Sequence, residues 1–183
     1  MDSLKGHFLI ASPKLLDPNF ARSVVLLVQH GEEGAMGLVV NRPLETTVKE
    51  AWEQVSEEGC LIESPLHQGG PCEGPLMVVH ADAAAGQMEV IPGLYFTTDR
   101  ETVERLVGEN TAPMKFFVGY SGWGPGQLEN ELERADWIVA PATDALVFAP
   151  PHDLWDEIMR AAMRAASIVG LNPKVVPEDP SFN

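Results

Sequence analysis

Two nearly unbroken apolar runs, Ser23 to His30 and Ala35 to Asn41, flank the short loop Gly31-Glu32-Glu33-Gly34. Both runs are rich in β-branched residues, and glycine can take the positive φ that a tight reversal needs, so the segment reads as a β-hairpin. A strand with one wet face alternates apolar and polar residues, whereas one covered on both faces is apolar throughout. Neither arm alternates. The hairpin therefore belongs inside a sheet, and the rest of the chain must cover it from both sides.

The remaining pattern supplies strands and cover in turn. Gly6 to Ala11 reads as a strand, and Ser12-Pro13 and Asp17-Pro18 mark a loop after it. Thr47 to Val55 places Val48, Ala51, Trp52 and Val55 at helical spacing, with Lys49, Glu50, Glu53 and Gln54 facing outward. Cys60 to Gly74 is dense in Gly and Pro and is expected to be loop, with a short strand at Leu66 to Gln68. Strand is expected again at Leu76 to His80, then a turn or single helical turn at Asp82 to Gly86. Met88 to Ile91 and Leu94 to Thr97 form a hairpin around Pro92-Gly93. Thr98 followed by Glu101 has capping-box spacing and predicts a helix over Asp99 to Val107. Met114 to Tyr120 reads as strand, Ser121 to Gly126 as loop, Gln127 to Arg134 as helix and Trp137 to Ala140 as strand. His152 to Val169 is the last helix, with Gly170 as its stop.

The 183 residues suffice for one core without metals or crosslinks. One domain is expected over residues 1–172, followed by a Pro-rich acidic tail, Pro173 to Asn183, with too little apolar surface to offset its ordering entropy. The longest aliphatic burst, Val24 to Val28, falls far short of the ~20 residues of a membrane helix, and the first five residues lack the layout of a signal peptide. No membrane association and a cytoplasmic location are the expectation. Two cysteines, Cys60 and Cys72, are too few for a disulfide framework and agree with a reducing compartment. The net charge of −15 repels phosphate backbones, and no Lys/Arg-rich run offers a footprint for them. Direct nucleic-acid binding is therefore not expected; a regulatory role would run through a protein partner.

Four stretches carry a family resemblance: Gly6-His7-Phe8-Leu9-Ile10-Ala11-Ser12-Pro13 with Asp17-Pro18-Asn19-Phe20-Ala21-Arg22-Ser23-Val24; Gly34-Ala35-Met36-Gly37-Leu38-Val39-Val40-Asn41-Arg42-Pro43; Gly69-Gly70-Pro71; and the run from Gly119 through Tyr120-Ser121-Gly122-Trp123-Gly124 to Leu132. Together they span nearly the whole chain and resemble the YqgE/AlgH family of small bacterial proteins. The resemblance implies an α+β fold: a bifurcated, partly closed, mostly antiparallel β-sheet flanked by helices. It brings no established biochemical activity. One branch carries a transcriptional-regulator label without a recognised DNA-binding motif. Cys72 departs from the family, where an aliphatic residue commonly follows Gly-Gly-Pro.

Several constellations invite a chemical reading. Gly119 to Gln127 has the strand, glycine loop and helix layout that can hold an anion, but it has no lysine, and Glu129, Glu131 and Glu133 follow. Gly119-Tyr120-Ser121-Gly122-Trp123 lacks the final glycine of a nucleophile elbow. Cys60, His67, Cys72 and His80 carry zinc-binding atoms but no close ligand pair, so no metal or other cofactor is expected. Glu129 and Glu133, one helical turn apart, are more simply a solvated face than an acid and base. The reading favoured is a non-enzymatic binding or adaptor protein acting on an unidentified protein partner. The alternative is a small-molecule sensor or enzyme. Its ligand-binding residues would be Asp17, Asn19, Arg22, Asn41 and Arg42, meeting Tyr120, Ser121, Trp123, Gln127 and Glu129.

Overall fold

The computed structural model describes residues 2–168. The expected tail, Pro173 to Asn183, and the helix stop at Gly170 lie outside the described residues. The strands are β1 (His7–Ala11), β2 (Val24–Gly31), β3 (Gly34–Val39), β4 (Pro43–Thr47), β5 (Pro65–Gln68), β6 (Met77–His80), β7 (Met88–Ile91), β8 (Leu94–Thr97), β9 (Met114–Val118), β10 (Ser121–Trp123) and β11 (Trp137–Pro141). The helices are α1 (Val48–Trp52), α2 (Arg100–Glu109), α3 (Gln127–Glu133), α4 (Asp144–Val147) and α5 (Leu154–Ile168). One five-stranded sheet runs β10-β3-β2-β1-β11, and a six-stranded sheet runs β4-β5-β9-β6-β8-β7. All pairings are antiparallel except β5 with β9. This is the α+β, bifurcated and mostly antiparallel arrangement expected from the family resemblance.

The apolar runs of the first hairpin are explained by three packed layers. Val24, Leu26 and Val28 of β2 and Leu38 of β3 point into a core between the two sheets, where they meet Met77, Val79, Leu94 and Phe117. Val25 and Leu27, on the opposite face, join Leu9, Val39, Trp123, Leu128 and Trp137 under α3 and the loop that carries Phe20. A third cluster, on the outer face of the second sheet, holds Val78 and Phe116 under Val48, Trp52, Val103 and Leu106. Each fully buried side chain of this size contributes ~1.5–3 kcal/mol, so β2 alone anchors two layers.

Several local expectations are corrected. Helix α1 is only one turn, capped by a Thr47–Glu50 capping box, so Val55 leaves the helical face and is 71% exposed. The cap of α2 is Asp99, whose carboxylate accepts from the Thr102 amide, rather than Thr98 with Glu101. Ser121 to Trp123 is strand rather than loop, because its backbone pairs with Ala35 to Gly37 at the sheet edge. Strand β4 and helix α4 carry too little periodicity to have been read.

The sheets join where the chain from Gln68 to Cys72 runs between them. The Gly69 amide donates to the Val118 carbonyl at 2.9 Å, and the Gly69 carbonyl accepts from the Val39 amide at 2.9 Å. Cys72 and Tyr120 then exchange backbone bonds of 2.9 and 3.0 Å. This close crossing requires glycine. A Cβ at Gly70 would stand 2.3 Å from the Tyr120 backbone, and one at Gly119, whose φ is 71°, would stand 2.6 Å from the Gly70 carbonyl oxygen. Gly122 and Gly124 do not have the positive φ that would make them the sensitive glycines of this region. Gly124 has nothing within 4 Å of its Cβ direction.

Gly70→Ala and Gly119→Ala are therefore expected to destabilise by roughly 3 kcal/mol or more, and Gly124→Ala by less than about 0.5 kcal/mol. Trp123→Ala, which empties a buried site, is expected to cost about 3 to 5 kcal/mol. Denaturant melts of the four variants check this ranking, and equal losses at Gly70 and Gly124 would contradict it.

Candidate functional site

The polar residues of the first candidate group pair with one another and with backbone. Asn41, just past β3, accepts the Val24 amide at 2.9 Å through Oδ1 and donates Nδ2 to the Arg22 carbonyl at 2.9 Å. Arg42 donates to the carbonyls of Asn19 and Ala21, and Asp17 accepts the Asn19 amide at 2.8 Å. Burial pushes the Arg42 guanidinium below its ordinary value, with Asp17 opposing. Arg22, at φ 58°, lies 4.3 Å above the Trp155 ring and meets Asp156 at 2.6 Å. These contacts pin the loop after β1 to the end of the hairpin and to α5.

The second group is equally committed. Ser121 is fully buried, and its hydroxyl donates to the Gly69 carbonyl at 3.1 Å. Tyr120 packs against the intersheet core beside its bridge to Cys72. Gln127 accepts the Gly124 amide at 3.1 Å and donates to Glu131 at 3.2 Å. Glu131 also accepts both indole N–H groups, of Trp123 and Trp137, each at 2.8 Å on the same oxygen. Glu129 receives His30 Nε2 at 3.0 Å. The other His30 nitrogen accepts the Leu4 amide at 2.8 Å, which assigns the ring its Nε2–H tautomer. Its own backbone amide and then the His30 ring hold the Glu129 carboxyl below the usual range.

The two groups meet through rings rather than through polar atoms. Phe20, in the loop that carries Asp17, Asn19 and Arg22, lies 6.1 Å from the Trp123 ring and 5.4 Å from Trp137. The place between them is filled by this aromatic cluster. A groove of about 450 Å³ opens instead over the hairpin tip beside Lys5, His30, Glu33 and Trp123.

A different pair of basic side chains lies at a cleft. His67 of β5 and Lys115 of β9 share the intersheet face, since His67 registers with Phe117 and residues 115 and 117 alternate to one side. His67 is 4% exposed, and among the described residues neither ring nitrogen has a partner in ordinary hydrogen-bond geometry. Lys115 is 7% exposed and donates to the Val40 carbonyl at 3.1 Å, tying one sheet to the other. Burial pushes Lys115 down to about 8. Burial, then the Lys115 charge, pushes His67 down to about 4, against a weaker pull from the Pro65 and Phe116 backbone. His80, also buried and, among the described residues, without a partner in ordinary hydrogen-bond geometry, is lowered by burial against the pull of Asp82 and stacks on Tyr95 at 5.8 Å. Sequence reasoning weighed His67 and His80 only as zinc ligands and passed over Lys115. The signal was there in a lysine placed inside the apolar strand Met114-Lys115-Phe116-Phe117-Val118.

Unfolded Lys115 keeps its proton up to about 10.5, while the folded protein releases it near 8. The unfolded state therefore binds more protons between these values, and stability rises with pH there by at most about 1.4 kcal/mol per pH unit. His67 acts at the other end: below its ordinary 6.5 the unfolded ring charges first, so stability falls as pH drops toward 4. Urea melts across both windows check this, and Lys115→Met is expected to abolish the alkaline rise while leaving the acid loss.

Comparison with known proteins gives the family. The AlgH-like family model matches residues 8–166. A UPF0301 protein of Chlorobaculum tepidum is 39% identical over 163 residues, covering 85% of each chain. A UPF0301 protein of Streptomyces avermitilis is 36% identical over 203 residues, covering 100% of this chain and 97% of the relative. The solution structure of the AlgH protein from Pseudomonas aeruginosa superposes with TM-score 0.71 at 33% identity, covering 100% of this chain and 97% of that one. A crystal structure of a Corynebacterium diphtheriae protein gives TM-score 0.68 at 28% identity, covering 88% of this chain and 87% of that one. With the family model, close relatives and the fold in agreement, this chain belongs to the AlgH-like family, UPF0301.

Proposed function

We propose that the protein is a non-enzymatic adaptor, one domain over residues 1–172, that acts in the cytoplasm by binding another protein and so regulates indirectly. The observation that carries this reading is the commitment of its polar side chains. Ser121, Gln127, Glu129, Glu131, Asn41 and Arg42 each hold a backbone or side-chain partner that stabilises the fold. A nucleophile or base must instead be free to reach a substrate. The net charge of −15 favours a basic partner over nucleic acid. Leu16, Val55 and Leu61, exposed at 82%, 71% and 84%, are apolar side chains available for contact.

A photo-crosslinking residue placed singly at Leu16, Val55 and Leu61 in the bacterium's own cells tests the reading. At least one position is expected to yield a discrete protein adduct, retained when Ser121→Ala is added. The reading fails if no position gives an adduct while Ser121→Ala or Glu129→Gln, with the fold intact, abolishes the protein's effect in the cell.

A further inference from the structure

The cleft at His67 and Lys115 has about 360 Å³ of space and opens at the N-terminal ends of the parallel strands β5 and β9, beneath the segment 148–151. Its walls include Pro65, Met114, Phe148 and Pro150, all apolar. Its polar lining is unusual for a protein with such an excess of acid. Lys115 offers three N–H donors and, among the described residues, has one hydrogen bond, to Val40. Among the described residues, His67 is buried with no partner in ordinary hydrogen-bond geometry at either nitrogen, only the weaker pull of the Pro65 and Phe116 backbone. Among the described residues, no Asp or Glu offsets the charge of Lys115.

A buried ammonium without a counter-ion carries a large desolvation cost, and buried charges are normally paired. A buried imidazole without a well-formed hydrogen bond costs further. One small anion would relieve both, taking hydrogen bonds from Lys115 and from a protonated or suitably tautomeric His67. The apolar walls and modest volume suit a short hydrocarbon tail rather than a nucleotide or a polyphosphate. The net charge of −15 disfavours multiply charged anions at long range.

We propose that this cleft is a binding site for a small monocarboxylate, its carboxylate held by Lys115 and His67 and its short alkyl tail lying between Pro65, Met114, Phe148 and Pro150. The site is separate from the adaptor contacts and does not depend on them. It gives the protein a means of responding to a short-chain organic acid, because occupancy would neutralise the lysine that joins the two sheets.

Sodium butyrate is the probe, titrated into the full chain in carboxylate-free buffer and followed by calorimetry and by amide chemical shifts. Saturable binding is expected, with the shifts centred on β5, the start of β9 and residues 148–151. Butylamine hydrochloride, with the same tail and the opposite charge, is expected not to bind. Lys115→Met is expected to weaken butyrate about tenfold or more, and His67→Phe several-fold. If Lys115→Met does not fold, the contrast between butyrate and butylamine on the unaltered protein decides alone. Failure of butyrate to bind, equal binding of butylamine, or shifts that map away from the cleft would overturn the proposal.

Discussion

The rest of the molecule depends on one close backbone crossing, where Gly69 and Gly70 pass Gly119 and Tyr120. The segment from Gln68 to Cys72 has a backbone partner on each side: Val118 and Tyr120 on one, Val39 on the other. It therefore belongs to neither sheet alone and splits one continuous hydrogen-bonded surface into two. A side chain at Gly70 would collide with the Tyr120 backbone, so the crossing exists only because glycine stands there. Ser121 adds its hydroxyl to the Gly69 carbonyl, completing the seam with a side chain that sequence alone would tempt one to read as a nucleophile.

From that seam the two sheets face each other, and the intersheet core follows. Lys115 crosses the gap to reach the Val40 carbonyl at the end of the other sheet. It is a polar tie inside an apolar layer, and burial there lowers its affinity for the proton to about 8. The outer layers use a different device. Glu131 holds both Trp123 and Trp137 by their indole N–H groups, so α3 is fastened to its sheet through two satisfied aromatic donors. Ser121, Trp123 and Gln127, in the glycine-rich run from Gly119 onward, each hold a partner within the fold.

The hairpin and the two-sided cover of β2 were legible because periodicity and glycine placement act locally. The strands β1, β6, β7, β8, β9 and β11 were legible for the same reason. Capping was only half legible: a Thr-x-x-Glu pattern marks a boundary, but whether Thr98 or Asp99 closes α2 depends on a side-chain rotamer. That Ser121 to Trp123 would pair as an edge strand depended on Ala35 to Gly37 coming alongside, which is a tertiary fact. The candidate residues were recognisable as polar groups beside strands. Their partners were not, since Arg22 finds Asp156 across 134 residues of chain. Lys115 and His67 were hidden for a related reason: neither belongs to a motif, and only the register of β5 against β9 brings them to one face.

Native-state hydrogen exchange at the seam tests this account most directly. The amides of Val39, Gly69, Cys72 and Tyr120 are each bonded across the crossing. If the seam is what makes the two sheets one cooperative unit, these four amides exchange only through global unfolding, with the same free energy as the core of β2. Exchange of the four through a lower-energy local opening, while β2 and β9 stay protected, would show that the sheets hold together without it.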